Sequence, residues 1–287
     1  MPAGYLLATS DLHVTHAGNK EVVDRIRPYT ENDWLIVAGD VAERLPVIES
    51  TLRLLRERFA KVIWTPGNHE LWTVGADPAE PRGEDRYRHL VGMCRQLDVL
   101  TPEDPYPVWE TGAESLVIAP LFVLYDYSFR EAGTSLEQAL AHAYDVGLVF
   151  NDEHLLHPDP YPSRQEWCWQ RVEETERRLA AIPADMRTVL ISHWPLHPGP
   201  TRMLRHPHLA MWCGTERTAD WHLRFRAAVA VYGHLHIPLT RNYDGVPFEE
   251  VSLGYPREWR KRAQQPDPLR RILTAEAAQS DRTDGLQ

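Results

Sequence analysis

At 287 residues the chain can hold one large domain or two modest ones, far above the size that needs staples to fold. Its 43% hydrophobic and 25% charged residues are those of an ordinary globular protein, which excludes a disordered, fibrous or coiled-coil chain. Lys and Arg total 31 against 41 Asp and Glu, and the formal charge of −10 argues against long nucleic acid and membranes as partners.

Tyr5–Thr9 predicts a first strand, reached without the basic region of a signal peptide. Asn19–Arg27 predicts a helix and Trp34–Ala38 a second strand. Leu45, Ile48, Leu52, Leu55 and Phe59 keep helical spacing, so an amphipathic crossover helix follows. Strands are then expected at Val62–Thr65 and Ser115–Ala119, with a helix at Asp85–Leu97 between them. Helices at Leu136–Val146 and Gln165–Leu179 precede strands at Thr188–Ser192 and Ala228–Tyr232. Phe248–Leu253 and Leu269–Thr274 complete the set, running antiparallel at an edge. Near-continuous hydrophobicity over four to six residues marks strands buried on both faces, and strand–helix alternation predicts an α/β sandwich with largely parallel sheets.

No repeat or low-complexity linker divides the chain. One domain is expected over 1–262, with an inserted lobe at about 121–185, where Pro158, Pro160 and Pro162 cluster. A long loop-like segment of Pro, Arg, His and Trp spans about 194–221, and such loops tend to carry function. Residues 263–287 are expected to form an edge strand and a disordered tail. Cys94, Cys168 and Cys213 are too far apart for a zinc ribbon or disulfide framework, and no apolar run reaches membrane-spanning length. Both point to a soluble protein of the reducing cytoplasm.

Five apolar runs end in metal-binding side chains: Asp11-Leu12-His13, Gly39-Asp40, Gly67-Asn68-His69-Glu70, Ser192-His193 and Gly233-His234-Leu235-His236. Ligands of open α/β sheets bind beyond the carboxyl ends of the strands, so these side chains are expected to meet in one crevice. In an extended chain, residues i and i+2 project to one side, which lets Asp-x-His and His-x-His each converge. The set is rich in oxygen and imidazole and holds no thiolate, which suits first-row divalent ions. Seven donors exceed the need of one ion and fit two, about 3.5–4 Å apart, with Asp40 as the bridge. Taken singly, Asp-x-His could be strand capping and Gly-Asp a common turn. Five such motifs in order, each at a strand end, are far harder to obtain from packing alone.

These five blocks resemble those of the calcineurin-like metallophosphoesterase family, over most of the chain from Asp11 to His236. The resemblance implies a four-layer αββα sandwich of mixed sheets with flanking helices, and a dinuclear site. Asp11, His13, Asp40 and His236 would hold one ion, and Asp40, Asn68, His193 and His234 the other. Manganese is favoured, with iron, zinc or nickel as alternatives. His69 would be the catalytic histidine, oriented by Glu70, and a bridging hydroxide the nucleophile. Purple acid phosphatases carry a tyrosine where this chain has Glu43. Serine/threonine phosphatases carry Asp-Arg-Gly where it has Glu43-Arg44-Leu45, so that pattern is incomplete, although Arg44 could still contact phosphate.

The expected reaction is hydrolysis of a small phosphomonoester such as a nucleotide or sugar phosphate. The alternative is a phosphodiesterase acting on cyclic nucleotides or other small diesters; a nuclease, a protein phosphatase and a non-catalytic scaffold rank below both. Arg202, Arg205, His206 and His208 could ring the anionic substrate or form a solvated loop face. Trp167, Trp169, Trp212 and Trp221 could stack on a base, but more often such residues pack a lobe with little core of its own. Tyr125–Phe129 could reach the same rim.

Overall fold

A computed structural model describes residues 4–75, 80–112, 114–148, 150–261 and 267–275; the tail expected to be disordered, beyond 275, lies outside the described residues. The first half of the chain forms β1 (Gly4–Thr9), α1 (Ala17–Asp24), β2 (Trp34–Val37), α2 (Leu45–Arg56), β3 (Lys61–Trp64), α3 (Asn68–Leu71), α4 (Gly83–Gln96), β4 (Val99–Leu100), β5 (Val108–Glu110) and β6 (Ser115–Pro120). The second half adds α5 (Leu136–Asp145), α6 (Asp152–Leu155), α7 (Arg164–Ala180), β7 (Arg187–Ile191), α8 (Trp221–Arg224), β8 (Ala227–Tyr232), β9 (Thr240–Tyr243), β10 (Val246–Glu250), α9 (Pro256–Trp259) and β11 (Arg270–Ala275).

Two mixed sheets result, in the orders β11-β1-β2-β3-β4 and β5-β6-β7-β8-β10-β9. Successive side chains of a strand point to opposite faces, and both faces are apolar here. Leu6, Ala8, Ile36, Ala38 and Ile63 of the first sheet pack with Ile118, Val189, Ile191, Val229 and Val231 of the second, forming the seam between sheets. The alternate residues Leu7, Leu35, Val37, Val62 and Trp64 belong instead to a core shared with Ile48, Leu52 and Leu55 of α2 and Leu90 of α4. Full burial of each such side chain stabilises the fold by about 1.5–3 kcal/mol, so both faces need a covering layer. The outcome is the αββα sandwich.

All eight expected strands form. β11 runs antiparallel to β1 at an edge, as expected, whereas β10 pairs parallel with β8 inside its sheet. The antiparallel edge strand there is β9, whose Thr-Arg-Asn-Tyr sequence has no apolar run because it is largely exposed. Part of segment 121–185 is sheet connection: α7 is the crossover between the parallel strands β6 and β7. The 194–221 segment is wound into short 3₁₀ turns at Gly199–Met203, Pro207–Trp212 and Glu216–Thr218. No helix among the described residues is long and apolar enough to cross a membrane.

Candidate metal centre

Asp11 and His13 follow β1, Asp40 follows β2, and Asn68 and His69 open α3 after β3; His193 follows β7, and His234 and His236 follow β8. Both sheets therefore deliver side chains to one rim. The convergence does not come from extended backbone. Asp11, His13, Asp40, His234 and His236 have φ of 51°, 40°, 56°, 70° and 56°, all left-handed. Such conformations cost about 1–3 kcal/mol each and persist where the surroundings over-determine them. Here the Asp11 and His13 N–H groups donate to the carbonyls of Gly39 and Asp40 at 3.0 Å, and the His234 N–H to Asp11 Oδ2 at 2.9 Å. Each strand end thus turns sharply into the rim. A methyl group on Gly67 would fall on Asp40 Oδ1, and one on Gly233 on Ser10 Oγ and Asp11 Oδ2, so both positions need glycine.

Two donor groups lie side by side. In the first, His236 Nε2 is 3.0 Å from Asp11 Oδ1 and 3.2 Å from His13 Nε2. In the second, His193 Nε2 is 3.2 Å from both Asn68 Oδ1 and His234 Nδ1. Asp40 Oδ2 stands between them, 3.9 Å from His13 Nε2 and 3.4 Å from His193 Nε2. Nitrogens of two imidazoles approach this closely only when a proton or cation lies between their lone pairs. The opposite ring nitrogens are held from behind, His193 Nδ1 by the Ala38 carbonyl and His236 Nδ1 by Glu258 Oε2, each at 2.8 Å. That arrangement fixes the tautomer that presents Nε2 to a metal. The residues present fit a pair of divalent cations.

The electrostatics agree. Burial alone would raise the Asp40 carboxyl, but His193 and His69 outweigh it and hold it below the usual carboxylate range. Asp11 is lowered in the same way, chiefly by His236. Burial disfavours the imidazolium of His193 and His236, yet Asp40 lifts His193 to about 9, and Asp11 with Glu258 lifts His236 to about 10. His13 and His234 are pushed down to about 3 by burial and by neighbouring histidines. Without cations, two protonated rings thus neutralise two carboxylates and two rings stay neutral.

His69 faces the same rim, its Nε2 3.8 Å from Asp40 Oδ2 and 3.4 Å from the Tyr255 hydroxyl. The carboxylate that orients it is Glu43, with Oε1 2.8 Å from Nδ1. This corrects the role expected of Glu70. That side chain turns away into the core, where it accepts backbone N–H bonds from Asp40, Val41 and Gly67 at 2.8, 2.7 and 2.9 Å and so shapes the ligand turn. Despite burial, the hydrogen bond to His69 lowers Glu43 to about 2, while Asp40 and Glu43 together raise His69.

The centre opens into a cleft of about 360 Å³. Its lining also includes Trp72, Phe150, Leu204, Leu209 and Leu235, together with Tyr255, Arg257 and Glu258. Sequence reasoning missed Tyr255 and Glu258. Pro256 followed by Glu258 is a helix-start signature, but nothing local says that α9 lands on the metal rim. The arginines singled out lie elsewhere: Arg44 lines a groove with Pro46 and Val74, and Arg202 lines a cavity with Phe129 and His142. Arg205 and His206 are exposed and outside the lining of the cleft, and His208 joins Arg202 in its cavity. Trp167, Trp212 and Trp221 are buried packing residues, and Trp169 hydrogen bonds to Asp126. Tyr125 and Tyr127 are buried, and Phe129 belongs to the Arg202 cavity.

Comparison with known proteins adds three findings. The sequence model of a family described as calcineurin-like phosphoesterase matches residues 5–238. The [acyl-carrier-protein] phosphodiesterase PptH of Mycobacterium tuberculosis is 53% identical over 258 residues, 90% of this chain and 80% of the relative. The crystal structure of phosphopantetheinyl hydrolase (PptH) from that organism superposes with a TM-score of 0.90 at 52% identity, covering 94% of this chain and 96% of that one.

Proposed function

The chain belongs to the calcineurin-like phosphoesterase family, and on that footing we propose that it is a dinuclear phosphodiesterase that releases the phosphopantetheine arm from an acyl carrier protein. The observation that carries this reading is the likeness, over nearly the full length of both chains, to a hydrolase named for that bond. The reading replaces the small phosphomonoester expected from sequence and moves the partner from a small molecule to a protein.

The cleft supports it. A phosphodiester carries one negative charge where a monoester carries up to two, and Arg257 is the one arginine among the described lining residues. The apolar wall of Trp72, Phe150, Leu204 and Leu209 suits a long, weakly polar arm. Cytoplasmic location accords with the three cysteines being buried free thiols.

Asp11, His13, Asp40 and His236 would hold one cation and Asp40, Asn68, His193 and His234 the other. Bound there, divalent cations (manganese is favoured) supply Lewis acidity to the phosphoryl oxygens and acidify a water. Asp40 and Asp11 leave the site cationic overall, which draws in the phosphate. His69, its Nδ1 held by Glu43, gives the Nε2 proton to the oxygen that leaves as water adds to phosphorus and the ester P–O bond breaks. The products are phosphopantetheine and a carrier with a free hydroxyl. Incubating the manganese-loaded chain with holo acyl carrier protein and following carrier mass tests this: conversion to the apo form is expected. An unchanged carrier, alongside faster hydrolysis of p-nitrophenyl phosphate than of its bis ester, would restore the monoesterase.

A further inference from the structure

Building on that reading, we infer that the carrier protein docks through an acidic face on the outer edge of α9, where Arg257, Arg260 and Lys261 present unpaired charge beside the metal cleft. A second groove of about 520 Å³ is lined by His16, Tyr255, Pro256, Arg257 and Arg260. Tyr255 and Arg257 line both this groove and the cleft, so the two are neighbours across those side chains.

The three cations are exposed, and none makes an ion pair among the described residues. Arg257 and Arg260 instead lie over the rings of Tyr255 and Trp259, at 5.1 and 5.4 Å. Some exposed arginines elsewhere are matched, as Arg53 is by Glu49, Arg82 by Asp159 and Arg95 by Asp104, whereas others, such as Arg44, Arg205 and Arg241, make no ion pair among the described residues. On a chain of net charge −10, three exposed cations within five residues, one of them lining the cleft, form a local basic patch that selects an acidic partner.

The inner side of α9 is tied to the metal ligands. Glu258 bonds His236 Nδ1 at 2.8 Å, Tyr255 stacks on His13 with centroids 4.4 Å apart, and Trp259 donates to Asn19 at 2.8 Å. A protein held on the outer edge is thereby placed at a fixed offset from the metal rim. The cleft then offers apolar side chains to the arm and, through Arg257, a basic edge continuous with the patch that faces the protein.

The test compares the wild type with a double charge reversal, R260E with K261E, both outside the cleft, on two substrates. KM for holo carrier should rise at least about tenfold with kcat nearly unchanged, while turnover of bis-p-nitrophenyl phosphate stays at the wild-type level. Raising salt should increase the wild-type KM for the carrier alone. A carrier KM within twofold of wild type, with the carrier still cleaved, overturns the docking surface and leaves the proposed activity standing. A wild type that hydrolyses the small diester but not the carrier overturns both. Should the reversal also harm small-diester turnover, the R260Q and K261Q pair decides: a threefold or larger rise in carrier KM supports the surface and an unchanged one overturns it.

Discussion

Glu43 Oε1 lies 2.8 Å from His69 Nδ1, three residues beyond Asp40, so one loop supplies both the carboxylate proposed to bind metal and the group that aims the His69 imidazole. Glu43→Gln keeps the shape and removes the charge. We expect kcat to fall about 10–100-fold at unchanged metal content. Glu43 helps to raise the pKa of His69, so its loss lowers that value. An acid must hold its proton to act, and the alkaline limb of the pH–rate profile should therefore move to lower pH. His69→Ala should cost at least about 100-fold.

Metal binding should release protons. At neutral pH, His193 (raised to about 9) and His236 (raised to about 10) are protonated in the cation-free protein, and a ligating nitrogen must be bare. Manganese affinity should rise as pH increases from 6 to 9. Calorimetry in buffers of different ionisation enthalpy should show about two protons leaving near pH 7. A pH-independent affinity would contradict the ligand assignment.

Gly233→Ala tests the close packing behind the first ligand. The new methyl collides with Ser10 Oγ and Asp11 Oδ2, so Asp11 must shift. Overpacking of this kind destabilises by about 1–3 kcal/mol. Metal titration of the variant should also show weaker binding, whereas Gly133→Ala, where the added carbon meets nothing, should leave binding at wild-type strength.

Chelation should lower the melting temperature. Ligand at about a thousand times its Kd stabilises by about 4 kcal/mol, which corresponds to about 10 °C for a chain of this size. Asp40→Ala should melt near the chelated wild type, stop responding to manganese and lose hydrolysis.

The sandwich and the meeting of the five motifs at one rim were legible because both are written locally: apolar runs mark the inner strands, and each motif sits where such a run stops. Glu43, Tyr255 and Glu258 were not, because their roles depend on contacts across 26, 186 and 22 residues of chain. The role assigned to Glu70 failed for a related reason. Sequence adjacency to His69 says nothing of direction, and the helical turn at Asn68–Leu71 points neighbouring side chains apart. β9 carries no apolar signal because it is an exposed edge, and Arg257 of the cleft came from a segment with no metal-binding motif.

Asp11, Asp40 and Asn68 hang from one layer of the sandwich, and His193, His234 and His236 from the other. Cations held between them would act as rivets across the apolar interface of Ile36, Ile118 and Val231. A cell short of divalent metal would then hold not merely an idle enzyme but one whose halves part more readily, so that the supply of the ion would govern how long the chain survives as well as how fast it works.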